Sequence, residues 1–383
     1  TTTGRIDQRT ERRIDRWTRA VGSVEDSVVI PLSRRSVERL EREFATKVDA
    51  ARVSEVMARN LRIGAVVDQL EPDVVFANHM VQRGLAGALV RTAPRIAMPW
   101  GGDIFNIGPT TALTRHLVRT GLRHAELVMP SAESAVPDLR SRWGVDPRRI
   151  RALSWGVDVR LFSPALADER ADLRRALSVP DGAKVVFNTR RFKHAWGAKA
   201  VIDAGIRLAQ NRPEVLVVNI AGAGNNAELA EAAARVEHHG LSDRFRFIRG
   251  EVSLADYATW SRIADVGLAL KQTPDMRSLS ILQPAHAGAW MIVSDQPEYR
   301  EMAQIGLTFD LVDPDNSDVV VRSIEDALDA TADEHRRRAD GNRQVVAEHE
   351  DHLERMSDIV DTIESVAESG RSVRTPRAYR WLG

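Results

Sequence analysis

An acid and an amide flank a serine-containing turn in the stretch PDMRSLSILQPAHAGAWMIVSD, residues 274–295. Asp275 and Gln283 stand eight positions apart in a segment with the pattern of a turn, a helix and a buried strand. The N–H groups of a helix's first turn lack partners within the helix, so they can bind a diphosphate or a sugar hydroxyl. Asp275 can accept from sugar hydroxyls and Gln283 can reach a ribose; the alternative is a helix cap and a surface amide. The N–H donors at this turn belong to Ser278, Leu279 and Ser280.

A basic loop follows the apolar run KVVFN and occupies the stretch NTRRFKHAWG, residues 188–197. An arginine fork can bind two phosphate oxygens at once, and a lysine can add a point charge. A solvated basic loop is the alternative, but a position at the carboxyl end of a domain's first strand favours a ligand. The candidates for binding a diphosphate are Arg190, Arg191 and Lys193.

Two glycines end a strand pattern in NIAGAGNN, residues 219–226, just before a helical pattern. Gly222 and Gly224 would let the backbone approach a ligand at the N-terminus of that helix. The third glycine of a dinucleotide fingerprint is absent, so an ordinary strand-to-helix turn remains the alternative.

Polar residues also follow two strand patterns in the first half of the chain. The run RIAMPW leads into Gly101, Gly102 and Asp103, a combination that suits close approach to a sugar or phosphate, with a helix cap as the alternative. The run DVVFANH ends in His79, which is either structural or part of a site.

The overall composition excludes several classes of protein. The 383 residues carry 54 basic and 54 acidic side chains, so the chain lacks the global positive field of a nucleic-acid-binding protein. It has no cysteine, which rules out disulfides and thiolate metal sites. We find neither an apolar run long enough to cross a membrane nor a signal peptide, and we expect a soluble, cytoplasmic protein.

Apolar β-branched runs alternate with helical patterns along most of the chain, which predicts parallel sheets covered by helices on both faces. Two such series predict two doubly wound, Rossmann-like domains facing a central cleft, with bounds 1–165 and 184–367 and a linker over 166–183. Apolar residues from Leu353 to Val366 recur at three- and four-residue steps, which predicts one long helix near the C-terminus. The candidate strands lie at residues 27–33, 73–79, 95–100, 126–131, 150–156, 184–190, 215–222, 245–250, 266–270 and 290–295.

Two long stretches resemble the family-4 retaining glycosyltransferases of the GT-B fold. Residues 125–164 resemble the family's strand aD.vi..S and its connection nGvD...F.P, and residues 215–295 resemble four further features in the family's order. These are a Gly-x-Gly loop, the pattern f.G.v....l...y..ad with Val252 at its v, a pair of acids separated by seven residues, and A.a.G.pvi.sd.

The chain departs from the family pattern at several of the family's functional positions. Asp275 and Gln283 stand where the family has two glutamates. Trp196 stands where the family has a lysine after its arginine, and Trp100 replaces the histidine of the HG.D loop, although Gly101 and Asp103 match. The family's first strand and glycine-rich loop would precede a helix that starts near Asp7, and only Gly4 hints at that loop.

The resemblance implies a retaining glycosyltransferase that moves a sugar from a nucleoside diphosphate-sugar to an acceptor. The acceptor is a glycan, a lipid-linked or a small molecule, and the enzyme is cytoplasmic, either free or peripheral at the inner membrane. No metal or other cofactor is implied, and no oligomeric state follows. The second domain would bind the nucleotide through the residues named above. The first domain, with residues 368–383 packed back on it, would hold the acceptor near His79, Trp100, Gly101, Gly102 and Asp103. Alternatives are a non-catalytic partner subunit of the same fold and a nucleotide-sugar epimerase.

Overall fold

The computed structural model describes residues 50–222 and 226–369. The candidate strand over 27–33, Gly4, the helix near Asp7, Gly224 and the segment 370–383 lie outside the described residues. Contacts divide the chain into two compact units, with breaks after Ser154 and after His352. Unit 2 runs from Trp155 to His352, and the described residues on either side of it belong to unit 1.

The described residues of unit 1 form a three-stranded parallel sheet in the order β1-β2-β3. Three of the predicted strands form it, and all four residues of β2 are buried. The candidate strand at 150–156 is wrong: an isolated bridge joins Val128 to Ile150, but no strand forms there. The segment still donates from the N–H of Leu153 to the carbonyl of Pro130 at 2.9 Å, past the point where β3 ends. The elements up to residue 141 are α1 (Ala50–Gln69), β1 (Val75–Asn78), a π-helical turn (Met80–Gly84), α2 (Leu85–Leu89), β2 (Arg95–Met98), a second π-helical turn (Gly102–Ile107), α3 (Ala112–Arg123), β3 (Leu127–Val128) and α4 (Val136–Ser141).

Unit 2 contains a six-stranded parallel sheet. Every strand predicted in this half is present, and the last strand, which has only three residues, was not predicted. The elements are α5 (Ala167–Ala176), β4 (Lys184–Asn188), α6 (Ala198–Asn211), β5 (Val215–Gly222), α7 (Asn226–His238), β6 (Phe245–Arg249), α8 (Leu254–Ile263), β7 (Val266–Ala269), α9 (Leu279–Ala287), β8 (Trp290–Ser294), α10 (Pro297–Gln304), β9 (Asp310–Val312), α11 (Ser317–Asp329) and α12 (Ala332–His349).

The strand order of this sheet, β6-β5-β4-β7-β8-β9, shows that the unit is doubly wound. From β4 the chain moves outward to β6, returns to pair β7 with β4, and continues outward on the other side. Alternate residues of β4 enter two different cores: Val186 packs on one face, and Val185 and Phe187 pack on the other. The order reverses between β4 and β7, and ligands of such sheets bind at that switch point, outside the carboxyl ends of the strands.

The predicted linker and the last described helix each belong to one of the two units. In the predicted linker, Arg170 of α5 pairs with Asp265 at 2.9 Å and donates to the carbonyls of Arg262 and Ile263, so this segment packs within unit 2. The long C-terminal helix is α13 (His352–Glu368), and its stripe buries Ile359 and Val360. Its residues from Leu353 onward make their contacts in unit 1, whereas the sequence pattern placed 184–367 together.

Candidate active site

The loops that follow β4 and β7 lie against each other at the switch point of unit 2. Gly197 has a φ of +83°, which favours glycine, and a Cβ atom there would lie 0.9 Å from the carbonyl oxygen of Leu270. No other residue fits, so the basic loop after β4 is held directly against the end of β7.

Arg190 is buried at the centre of this site. Its Nη2 lies 2.8 Å from Oδ2 of Asp275, and its Nη1 lies 3.2 Å from Oγ of Ser278 and 3.4 Å from the hydroxyl of Tyr299. Two residues that the sequence analysis singled out from separate motifs, Arg190 and Asp275, are therefore ion-paired. Arg190 joins the end of β4 to the N-terminus of α9.

A second buried cation, Lys271, lies beside this pair and was missed by the sequence analysis. Its Nζ contacts Oε1 of Glu298 and lies 3.6 Å from Oδ2 of Asp275. Glu298 also accepts the backbone N–H of Asp275 at 3.1 Å. The i, i+4 spacing of Lys271 and Asp275 after the strand pattern VGLAL was the available signal; nothing in the sequence of α10 marks Glu298.

The buried charges shift one another's proton affinities. Burial alone would raise the pKa of Asp275, but the cations Lys271 and Arg190 outweigh it, and the pKa of Asp275 is lowered. Burial lowers the pKa of Lys271 against the pull of Asp275 and Glu298, and burial raises the pKa of Glu298. Asp275 is thus held as a carboxylate with a quarter of its side chain open to solvent.

The N-terminus of α9 faces the same cluster through hydroxyl groups. Ser278 is the N-cap residue but makes no side-chain cap bond; its Oγ lies 2.7 Å from Oγ of Ser280. Asp275 accepts the N–H of Met276 at 2.9 Å rather than one of the first turn of α9, so the interpretation of Asp275 as a helix cap is wrong. The first-turn N–H groups, including that of Leu279, thus have no side-chain cap of their own.

A cavity of about 720 Å³ opens beside these loops within unit 2. It brings together four of the predicted residues: Arg191, Gly222, Val252 and Gln283. Gln283 is buried, so the interpretation as a surface amide is wrong. The remaining lining residues are Thr189, Ile220, Gly250, Glu251, Ser253, Leu254 and Tyr257.

The basic residues of the β4 loop do not all lie in one place. Arg191 is exposed and lies beside Gly222, where a Cβ atom would be 3.4 Å from Nε of Arg191. Lys193 lies with its Nζ 4.8 Å from the centre of the Trp196 ring, and the Arg190 guanidinium lies 5.8 Å from the same ring. Trp196 therefore provides an aromatic face for cations where the resembled family has a lysine.

In unit 1, Asp103 ties together the loops that follow β1 and β2. It is fully buried, and its Oδ2 accepts the N–H of Met80 at 2.7 Å and that of Trp100 at 3.0 Å. Its Oδ1 lies 3.0 Å from Nε2 of His79, which has a φ of +70°, an unusual conformation for a residue other than glycine. The Asp103 carboxylate thus links His79 to the backbone of both loops.

Neither ring nitrogen of His79 is free at the surface. Nε2 faces Asp103, and Nδ1 is buried without a hydrogen-bond partner, although a quarter of the side chain is exposed. Trp100 is half exposed and donates from Nε1 to Oδ1 of Asn78. Gly101 is buried at the start of the π-helical turn, and a Cβ atom on Gly102 would meet nothing within 4 Å.

Two searches of residues 50–222 and 226–369 give negative findings. They contain no helix long and apolar enough to cross a membrane. They also contain no group of three or more His, Asp or Glu side chains placed to hold a metal ion.

Comparison with known proteins gives a family match that lies within unit 2. Residues 169–344 match the family described as glycosyl transferases group 1. The D-inositol 3-phosphate glycosyltransferase of Jonesia denitrificans is 25% identical over 174 residues, which are 44% of this chain and 40% of that protein. The phosphatidyl-myo-inositol mannosyltransferase of Mycobacterium tuberculosis is 28% identical over 279 residues, 70% of this chain and 68% of that protein. The chain thus spans less than half of the first of these relatives.

Solved structures show the same fold at low identity. HepE of Anabaena, solved in complex with UDP-glucose, has a TM-score of 0.69 and 18% identity and covers 79% of this chain and 82% of its own. Sucrose-phosphate synthase of Thermosynechococcus elongatus has a TM-score of 0.67 and 17% identity and covers 90% and 83%. The fold is that of the GT-B glycosyltransferases, and over residues 169–344 the chain is similar to the glycosyl transferases of group 1.

Proposed function

We propose that this protein is a retaining glycosyltransferase that moves a sugar from a nucleoside diphosphate-sugar to an acceptor hydroxyl. One observation carries the proposal: a buried arginine, a carboxylate and a helix N-terminus meet at the switch point of unit 2, beside a cavity of about 720 Å³. Support comes from the match to group 1 glycosyl transferases and from the fold shared with HepE, which was solved with UDP-glucose.

In the proposed donor complex, the cavity takes the nucleoside. The buried amide of Gln283 accepts a hydrogen bond from one ribose hydroxyl and donates a hydrogen bond to the other. The diphosphate lies between Arg190 and the first turn of α9, with Arg191 and Lys193 contributing further positive charge from the β4 loop. Asp275 then accepts from hydroxyls of the sugar being transferred, since its carboxylate is ionised and open to solvent on one side.

The proposed chemistry is transfer on the front face of the sugar. The C1–O bond to the diphosphate breaks, the acceptor oxygen attacks from the same side, and the departing diphosphate takes the acceptor proton. Negative charge builds on the phosphate oxygens, so the fixed cations and N–H donors stabilise the transition state more than the ground state. This scheme needs no enzyme base, which agrees with a His79 whose Nε2 faces Asp103 and whose Nδ1 is buried.

The proposed reaction does not depend on which acceptor, sugar or nucleotide base takes part. The names of the relatives make a phosphorylated or lipid-bound inositol a reasonable first acceptor to test. We propose that the reaction needs no metal ion and takes place in the cytoplasm.

A panel of nucleoside diphosphates and their sugars tests the proposal. A ligand that binds only the native state raises the unfolding temperature by mass action. We expect one nucleoside diphosphate and its sugar conjugate to raise the unfolding temperature. The rise should be the same with and without EDTA, because we propose that no metal ion is needed. Proton NMR of the product should then show the anomeric configuration of the donor. An inverted product would refute the front-face scheme, and a bound sugar nucleotide that is never cleaved would favour the non-catalytic partner subunit.

A further inference from the structure

The resembled family places a lysine shortly after its arginine, and this chain has Trp196 there. The next residue, Gly197, is pressed on the end of β7: a Cβ atom on it would lie 3.0 Å from the backbone N of Lys271. The backbone of Lys271, which follows β7, therefore lies next to the position where the resembled family has its lysine.

The side chain of Lys271 runs inward and is only 2% exposed. Its Nζ lies 4.9 Å from the centre of the Tyr299 ring and reaches both Glu298 and Asp275. Buried ammonium groups persist only where carboxylates pair with them. Packing alone would be served by an apolar side chain of similar length, so the charge itself calls for an explanation.

The charges of the cluster balance only while no ligand is bound. Arg190 and Lys271 face Asp275 and Glu298, two cations against two carboxylates. An incoming diphosphate competes with Asp275 for the Arg190 fork, because both offer anionic oxygens to the same N–H groups. Without a second cation, Asp275 would lose its main partner at the moment when it must hold the sugar.

We infer that Lys271 is the standing counter-ion of Asp275, which keeps that carboxylate in place while Arg190 turns to the diphosphate. The inference rests on the proposed function. Lys271 acts on the side chain of Asp275 directly, at 3.6 Å, and on its backbone through Glu298, which accepts the N–H of Asp275 at 3.1 Å. Lys271 is thus a positioning residue that acts through Asp275.

The test removes the charge and keeps the shape. Lys271→Met alone leaves Glu298 buried and unpaired and can fail to fold, so the main variant is Lys271→Met with Glu298→Gln, which removes both charges. Lys271→Arg is the conservative variant. Lys199→Met, at an exposed lysine of α6, is the matched control. Each is assayed for thermal unfolding, UDP affinity and hydrolysis of UDP-glucose, with GDP and GDP-mannose in parallel, and the pKa of Asp275 is measured by carbon-13 NMR.

We expect the double variant to fold, to bind the nucleoside diphosphate within about threefold of wild type, and to hydrolyse the sugar nucleotide about 10- to 100-fold more slowly, the scale of one lost charge-assisted bond. Lys271→Arg should restore part of the rate. Adding the double change to Asp275→Asn should cause no further loss, because both act through one carboxylate. The carbon-13 signal of Asp275 should titrate at a higher pH than in wild type.

An unchanged rate together with an unchanged Asp275 titration would overturn the inference. A parallel loss of rate and nucleotide affinity would overturn it as well, because Lys271 would then contact the diphosphate itself. If wild type neither binds nor hydrolyses any sugar nucleotide, the proposed function fails. The titration of Asp275, which needs no ligand, still decides whether Lys271 holds that carboxylate.

Discussion

Replacing Arg190 or Arg191 with methionine separates two residues that the sequence could not tell apart. Arg190 is buried and bonded to Asp275, Ser278 and Tyr299, whereas Arg191 is exposed at the cavity. Methionine keeps the apolar length of the side chain and removes its charge. We therefore expect Arg190→Met to affect both folding stability and donor binding, and Arg191→Met to affect binding alone.

The magnitude follows from the contacts of Arg190. Removing one partner of a buried ion pair costs about 3–5 kcal/mol of unfolding free energy. Here Asp275 keeps Lys271 at 3.6 Å and a quarter of its side chain in solvent, so we expect a smaller loss of about 2–3 kcal/mol. For a domain of this size that lowers the unfolding temperature by about 4–12 °C. A loss of about 2–3 kcal/mol in binding free energy would weaken nucleoside diphosphate binding about 30- to 150-fold.

Calorimetric titration with the nucleoside diphosphate and a thermal unfolding curve measure both effects. Arg191→Met serves as the matched control for stability, because Arg191 is exposed. If Arg190→Met bound the nucleotide as wild type does, the diphosphate would lie elsewhere in unit 2. If Arg190→Met unfolded at the wild-type temperature, the three bonds of the Arg190 guanidinium would not contribute to folding stability.

Three further changes probe the same cluster. Gln283→Ala should weaken nucleotide binding by about 1 kcal/mol, the worth of a neutral hydrogen bond, and an unchanged affinity by calorimetry would remove Gln283 from the site. Gly197→Ala places a Cβ atom 0.9 Å from the Leu270 carbonyl oxygen, so we expect little folded protein, and a well-folded variant with the wild-type circular dichroism spectrum would contradict the geometry. The lowered pKa of Asp275 adds stability that is present above its unfolded value of about 4 and lost as pH falls through the folded value. Urea titrations should therefore show that Asp275→Asn loses less stability than wild type as the pH falls below about 4, and equal losses would show that Asp275 is not held by its cations.

The sheet of unit 2 could be predicted because its strands are continuous apolar runs bounded by loops. KVVFN and VLVVNIAG became β4 and β5 with their whole lengths buried or nearly so. The strand β9 could not be predicted, since Asp310–Val312 carries only two apolar residues and pairs along one edge of β8. The predicted strand at 150–156 is absent for another reason. Its apolar pattern is suitable, but its neighbour β3 has only two residues, so the contacts from Ile150 to Leu153 do not build a ladder.

The candidate site was predictable where a motif carries its own spacing. Asp275, Ser278 and Gln283 follow one another along a turn and a helix, so local sequence places them together. The Lys271–Glu298 pair arises from a contact between the end of β7 and α10, and no local pattern announces a contact between residues so far apart in sequence. The contact of Asp103 with His79 likewise depends on two loops meeting, which no local sequence pattern shows.

The most direct test of the central claim is the rate at which the purified protein releases UDP from UDP-glucose, or GDP from GDP-mannose, without an acceptor. A site that stabilises a departing diphosphate should cleave one of these donors slowly but measurably above the uncatalysed rate. Asp275→Asn should reduce that rate at least tenfold while leaving nucleoside diphosphate affinity nearly unchanged, because its contacts are to the reacting sugar. Wild-type protein that binds the donor yet releases no diphosphate, or an Asp275→Asn variant with the wild-type rate, would contradict the account.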